Sequence, residues 1–439
     1  VSAAVAIAVT SPLEAAQSLL KGPYVTAVSD SDATVRFELA TAGPAVLEIT
    51  PAANAADAAA GLPRRIESRD ASAVHRVHVT GLQPSTPYAL VVRAGGTVVG
   101  QGHVATAPKP DSGASLTFLV YGDDRTDDAA HASVVHAMVS VPSDFLVNTG
   151  DMVADGASAQ NWQTFFDTEK PLLSERPLLP AIGNHELSDD AAGTNFAKYF
   201  GFLDDSGVEH PYGTVRYGNA RFFFLNGMDD WSKGTERGWL ESELTKADTE
   251  PGLAWRFVVV HHGLWSAGPH GPNTKLIEAG VPQLLAAHKV DLMFAGHDHL
   301  YERGDGGTLK YVLSGGGGAP VYRDLHPSSA TRKAEAAHHF VQVTLRGNGF
   351  QMVAMRDDGS VLDKCGFTQG GPWDCDAPRP APAASAATIG SAPVAPTAAA
   401  PASHGCACAQ PGEPAEGACA LATIAVLGAV LRARSRRRG

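Results

Sequence analysis

No cysteine occurs in the first 364 residues of this 439-residue chain, and all five lie beyond them. That absence excludes a cysteine-built structural zinc site from the body of the protein. A basic surplus is missing as well. The formal net charge is −12, which argues against a nucleic-acid-binding surface. It also means that an anionic substrate must be drawn in locally, by metal ions or a few arginines. Long apolar runs are scarce. Gly417–Leu431 carries no charge, but its length of about 22 Å falls short of a hydrocarbon core of about 30 Å. Local thinning and the snorkelling of Arg432, Arg434 and Arg436–Arg438 would let it act as an anchor with its arginines on the cytoplasmic side. What remains is ordinary globular material, 44% hydrophobic and 18% charged, with room for two or three domains.

Residues 1–21 read either as the end of an export signal lacking its basic start or as a loosely docked terminus. Residues 22–107 read as all-β. Short alternating runs at Thr34–Leu39, Val46–Thr50, His75–Val79 and Tyr88–Arg93 are separated by glycine and proline, the pattern of a sandwich. Gly81-Leu82-Gln83-Pro84-Ser85-Thr86-Pro87-Tyr88 resembles the segment of fibronectin type III domains in which a tyrosine hydroxyl ties a loop to its strand. Pro108–Gly113 marks the boundary. From residue 114 to 375 strands alternate with helix-length segments, an α/β layout. Cys365 and Cys375 are expected to form a disulfide. Residues 376–405, rich in Pro, Ala and Ser, read as an extended linker. Residues 406–439 hold Cys406-Ala407-Cys408 before the apolar run and arginines, an arrangement similar to the sorting tails of myxobacterial surface proteins. A plain single-pass anchor is the other reading.

The chemistry collects at strand ends. Leu116–Tyr121 runs into Gly122-Asp123-Asp124-Arg125, and Asp144–Val147 runs into Asn148-Thr149-Gly150-Asp151. Leu178–Ile182 leads to Gly183-Asn184-His185-Glu186, and Trp255–Val260 to His261-His262. The buried run at Val290–Phe294 stops at Ala295-Gly296 and is followed by His297-Asp298-His299. Ligands of an α/β sheet gather at the carboxyl edges of its strands. Asp, Asn and His together suit zinc, manganese or iron better than calcium. Taken singly, each motif has a plain explanation as a turn or a helix cap. Five in this order do not.

These motifs resemble those of the calcineurin-like metallophosphoesterases over roughly residues 116–356. His297–Arg303 (HDHLYER) and the preceding β domain look like the purple acid phosphatases and their bacterial relatives. The resemblance implies a four-layer α/β/β/α sandwich behind an all-β fibronectin III-like sandwich. It also implies a dinuclear centre of iron, zinc or manganese and a phosphate-ester hydrolase working through a hydroxide nucleophile. By motif, Asp123, Asp151 and His299 would hold one metal, and Asp151, Asn184, His261 and His297 the other, with Asp151 bridging. His185 and His270 would face the substrate, and Arg125 would contact phosphate oxygens. Glu186 would orient a neighbouring histidine. A surface-loop role is the plainer reading of His270.

Three positions depart from the pattern. Ala154 stands where purple acid phosphatases place a tyrosine three residues after the bridging Asp, so no charge-transfer colour is expected. Arg125 stands where other branches place a histidine, leaving the first metal three protein ligands. Gly263 replaces a customary proline. The expectation is a small-molecule phosphomonoesterase, secreted and tethered to the cell envelope through its tail. A phosphodiesterase or nucleotidase is the alternative within the class, and a surface binding protein with a degenerate metal site the alternative outside it.

Overall fold

The computed structural model describes residues 17–52, 63–68, 72–204 and 206–375. Most of the expected leader, the linker at 376–405 and the tail at 406–439 lie outside the described residues. Among the described residues no helix is long and apolar enough to cross a membrane.

The N-terminal part is built of antiparallel strands. Leu19–Val28, Ala33–Leu39 and Val74–Val79 form one sheet. Arg64–Ser68, Ala45–Pro51, Pro87–Ala94 and Thr97–Ala105 form the other. In Pro87–Ala94 every second residue is buried, the two-residue period of a sheet with one covered face. The Tyr88 hydroxyl accepts the Gln83 N–H at 2.8 Å, so a tyrosine does tie that loop to its strand. Arg36 reaches from this part into the next. Its guanidinium donates to the carbonyls of Lys198 and Gly201, both at 2.9 Å, and to Glu209 at 2.8 Å.

Two larger sheets follow. The first runs Leu178–Pro180, Phe145–Asn148, Leu116–Tyr121, His339–Arg346, Gly349–Arg356, Val361–Thr368. Its first three strands are parallel and the rest antiparallel. The hairpin of His339–Arg346 and Gly349–Arg356 pairs with Val361–Thr368, to which the bonded pair Cys365–Cys375 anchors the end of the described chain. The second sheet has seven strands. Its centre is parallel: Ala220–Leu225, Trp255–His262, Leu292–Gly296 and Leu309–Ser314.

These parallel strands read as unbroken apolar runs because both faces are covered. Phe118 and Val120 pack between the sheets, with Phe222, Phe257 and Phe294 opposite them. Their alternates, Leu119 and Tyr121, face the helices Asp128–Val139 and Ala159–Leu173. On the other sheet Val258, Val260 and Met293 face Thr235–Asp248 and Val281–Ala287. Three apolar layers therefore separate four layers of structure, helix, sheet, sheet, helix. Phe118 meets Phe222, Phe257 and Phe294 edge-on, with centroids 5.3, 6.0 and 5.9 Å away. Such contacts add about 0.5–1.5 kcal/mol each beyond burial and hold the two sheets in register. The carboxyl ends of Leu116–Tyr121, Phe145–Asn148, Trp255–His262 and Leu292–Gly296 then deliver their loops to one place.

Candidate metal centre

Extended chain would send His297 and His299 to opposite sides. The structure avoids this by turning the backbone at His297, whose φ is +74°. Asp123 and Asp151 are left-handed too, at +60° and +59°, a conformation that non-glycine residues adopt mainly where the surroundings enforce it. Here they do. The Asp123 N–H donates to the Gly150 carbonyl at 2.9 Å, and the His297 N–H donates to Asp123 Oδ2 at 2.9 Å. Two motif glycines admit the carboxylates. A Cβ at Gly296 would lie 2.4 Å from Asp123 Oδ2, and one at Gly183 would lie 2.2 Å from Asp151 Oδ1.

Four ligand atoms crowd together on one side. Around His261 Nε2 stand Asp151 Oδ1 at 3.2 Å, Asn184 Oδ1 at 3.1 Å and His297 Nδ1 at 3.1 Å. The other nitrogen, Nδ1, lies 2.9 Å from the Thr149 carbonyl and must carry the proton, since a carbonyl only accepts. With Nδ1 protonated, Nε2 faces three further electron-rich atoms, so this point favours positive charge, whether a proton or a metal ion. Electrostatics says the same. Burial opposes a charge on His261, yet Asp151 and Asp123 raise it to about 9. Burial lowers His297 to about 2, with the field of His261, His262 and His270 acting in the same direction. Burial likewise opposes ionisation of Asp151, but His261 and Arg125 overcome it and hold the carboxyl well below the usual range.

The other side is looser. Asp123 Oδ1 is buried with no hydrogen-bond partner and stands 3.7 Å from His299 Nε2. His299 Nδ1 is fixed 2.9 Å from the Pro320 carbonyl, which aims Nε2 inward. Arg125 reaches between these groups: its Nε donates to Asp151 Oδ2 at 3.1 Å, and Nη2 lies 3.4 Å from His299 Nε2. A guanidinium thus bridges two of the atoms assigned to the first metal. Burial raises Asp123 to about 7, the behaviour of a carboxylate that lacks a close cation. The donor set and the unpartnered Oδ1 fit divalent metal ions of the zinc, manganese or iron type.

His185 and His270 flank the centre. His185 Nδ1 lies 2.7 Å from the Ala154 carbonyl, leaving Nε2 3.9 Å from Asp151 Oδ2. His270 Nδ1 lies 2.7 Å from Asp298 Oδ1, its ring sits 4.3 Å from that of His297, and its side chain is 43% exposed. Asp298 is 1% exposed and also accepts the Ser266 hydroxyl, so the middle residue of His297-Asp298-His299 serves the histidine across the loop. His262 directs Nε2 to the Gly271 carbonyl, 3.0 Å away, while its ring lies 4.3 Å from that of His297.

A scan against family models matches residues 124–301 to "Calcineurin-like phosphoesterase". The chain carries a calcineurin-like phosphoesterase domain. Two similar curated proteins are a probable purple acid phosphatase 20 of Arabidopsis thaliana and purple acid phosphatase 4 of the same plant. The first is 28% identical over 52% of this chain and 59% of its own length. The second is 28% identical over 49% of this chain and 71% of its own length. Among solved structures, a purple acid phosphatase from yellow lupin superposes with a TM-score of 0.65 at 18% identity, over 79% of this chain and 74% of that one. A structure of PhoD gives 0.62 at 11% identity, over 84% and 94%. At these identities the structures speak for the fold.

Two residues near the centre escape a sequence reading. Tyr322 stacks on His299 with centroids 4.2 Å apart and lies far from any motif. Glu186 does not orient a histidine. Its Oε2 accepts the N–H groups of Gly183 at 2.7 Å and Asp151 at 2.9 Å, and its Oε1 those of Met152 at 2.8 Å and Val153 at 3.2 Å. It braces the loop that carries Asp151. A Glu directly after an Asn-His pair and three residues after a motif glycine was the available signal.

Proposed function

We propose that this protein is a metal-dependent phosphomonoesterase with a dinuclear centre. The convergence of Asp151, Asn184, His261 and His297 on one point carries the reading, with Asp123 and His299 supporting a second ion beside it. Two such ions supply charge to clamp phosphoryl oxygens and to acidify water toward a pKa of about 7. The chain's own residues do the rest. Arg125, 14% exposed, is placed to turn from Asp151 to a phosphate oxygen, where a guanidinium forms paired, charge-assisted bonds. His270 holds its Nδ1 proton on Asp298, which leaves Nε2 to deliver a proton to the departing alkoxide and lets Asp298 stabilise the imidazolium. His185 Nε2 faces the bridging carboxylate and is placed to hydrogen-bond the bound ester.

The test loads full-length protein with zinc, manganese or iron(II) and compares a phenyl phosphate monoester with its bis-ester. Metal-dependent hydrolysis favouring the monoester supports the proposal. Preference for the bis-ester makes it a phosphodiesterase, and no metal-dependent turnover overturns the enzymatic reading. The same proposal places the enzyme outside the cytoplasm on an envelope tether. The Cys365–Cys375 bond supports an oxidising compartment, and recovery of the native protein in a cytosolic fraction would contradict it.

A further inference from the structure

A second group of ligand-type side chains lies one residue past Asp123. Asp124, on the loop after strand Leu116–Tyr121, His131, on helix Asp128–Val139, and Glu169, on helix Ala159–Leu173, each offer a ligand atom within 4.8 Å of the others. Unlike the metal centre, this cluster is sealed: Asp124 is 2% exposed, His131 4% and Glu169 0%. His131 Nε2 lies 2.9 Å from Glu169 Oε1, and Asp124 Oδ2 accepts the Asn148 amide at 2.6 Å. The remaining oxygens, Asp124 Oδ1 and Glu169 Oε2, are buried with no hydrogen-bond partner. The hydroxyl of Tyr121, a fully buried side chain outside the triad, lies against the same two carboxylates and within hydrogen-bonding reach of Glu169.

Two carboxylates face one imidazole, and among the described residues no lysine or arginine pairs with either. Asp124 Oδ1 and Glu169 Oε2, two buried carboxylate oxygens without a hydrogen-bond partner, stand beside that imidazole, a donor set that suits a cation. A modest contraction would let one bind: the three ligand atoms lie within 4.8 Å of one another, and donors bound at about 2.0–2.2 Å to a single ion sit roughly 3–3.5 Å apart. One imidazole with carboxylate and phenol oxygens selects a borderline divalent metal over calcium.

We infer that Asp124, His131 and Glu169, with the Tyr121 hydroxyl at hand, form a separate structural site for a divalent ion of the zinc, manganese or iron type. Its role is positional. Asn148 donates to Asp124 Oδ2 and accepts the Gly150 N–H at 2.8 Å through Oδ1. The ion therefore pins two helices to the loop of Asp123 and, through Asn148, to the loop of Asp151. The inference does not depend on the proposed activity.

The test is metal content per chain, measured on zinc- or manganese-loaded full-length protein before and after brief chelation with EDTA. Three ions before and one after are expected, because the sealed site exchanges slowly. Glu169→Gln, nearly isosteric and still able to bond His131, should hold two before and none after. Asp151→Asn should keep the slowly exchanging ion. A wild-type count of two or fewer, all removed by brief chelation, overturns the inference, and so does a slow ion insensitive to Glu169→Gln. If the catalytic centre itself fails to load, a single slow ion lost in Glu169→Gln and kept in Asp151→Asn supports this site while contradicting the dinuclear reading.

Discussion

Replacing Glu186 by glutamine isolates the brace behind Asp151. Each carboxylate oxygen accepts two buried N–H groups, those of Gly183 and Asp151 on one side and of Met152 and Val153 on the other. Whichever side the new amide nitrogen takes, two N–H donors lose their acceptor and confront another donor. A buried unsatisfied donor costs about 1–3 kcal/mol, so Glu186→Gln should lose roughly 2–6 kcal/mol of folding stability. That is a large part of a typical total of about 5–15 kcal/mol. The left-handed backbone at Asp151 depends on the same bonds, so metal affinity should fall by about 10–100-fold, as when other groups that orient a ligand are removed. Urea unfolding of the metal-free protein and calorimetric metal titration read the two effects. Both belong above pH 7, because burial, with the charge of Asp151 beside it, raises Glu186 to about 7. A variant within 1 kcal/mol of wild type that binds metal unchanged would refute the reasoning.

His270→Ala should lower kcat for alkyl phosphates by roughly 10²–10⁴ and affect nitrophenyl phosphate far less, since that leaving group needs no proton; equal losses on both would remove His270 as the acid. Arg125→Ala should raise KM for a monoester by about 10–100-fold, the worth of a charge-assisted hydrogen bond, and an unchanged KM would show that the guanidinium stays on Asp151. Asp144, half-buried and accepting the Thr117 N–H, is raised by desolvation from 3.8 to about 6. Its folded form therefore prefers the proton, and its contribution to stability is highest below about pH 4 and falls by roughly 3 kcal/mol as the pH rises through 6. Asp144→Asn should remove that fall, so the variant should gain on wild type between pH 4 and 7 in urea midpoints; a constant difference across that range would contradict it.

Much of this was legible because buried parallel strands announce themselves. Phe118–Tyr121, Phe145–Val147, Val258–Val260 and Leu292–Phe294 are apolar on both faces, so each strand end and the polar residue beyond it stand out. Strand Tyr301–Gly306 was not legible, since its charged residues are buried by pairing: Arg303 with Asp363 at 2.7 Å, Glu302 with the Tyr311 hydroxyl at 2.7 Å. No hydrophobic alternation marks such a strand. The identities of the candidate ligands could be read from their motifs, but not the left-handed turn that brings His297 and His299 to one side. Nor could Asp298 be assigned to His270, because the bond joins loops 28 residues apart. The buried triad was hidden for a related reason. Asp124 reads as part of a turn, His131 and Glu169 as helix residues, and only the packing of two helices on one sheet face brings them together.

The central claim is that Asp123, Asp151, Asn184, His261, His297 and His299 share two ions that hydrolyse a phosphate ester. Phenyl phosphate turnover by wild type and Asp151→Asn, each with its rapidly chelated metal counted, tests it most directly. Two such ions and metal-dependent turnover in wild type, with both lost in the variant, are predicted. Turnover that survives the substitution, or a wild type that loads its ions and leaves the ester intact, would contradict it.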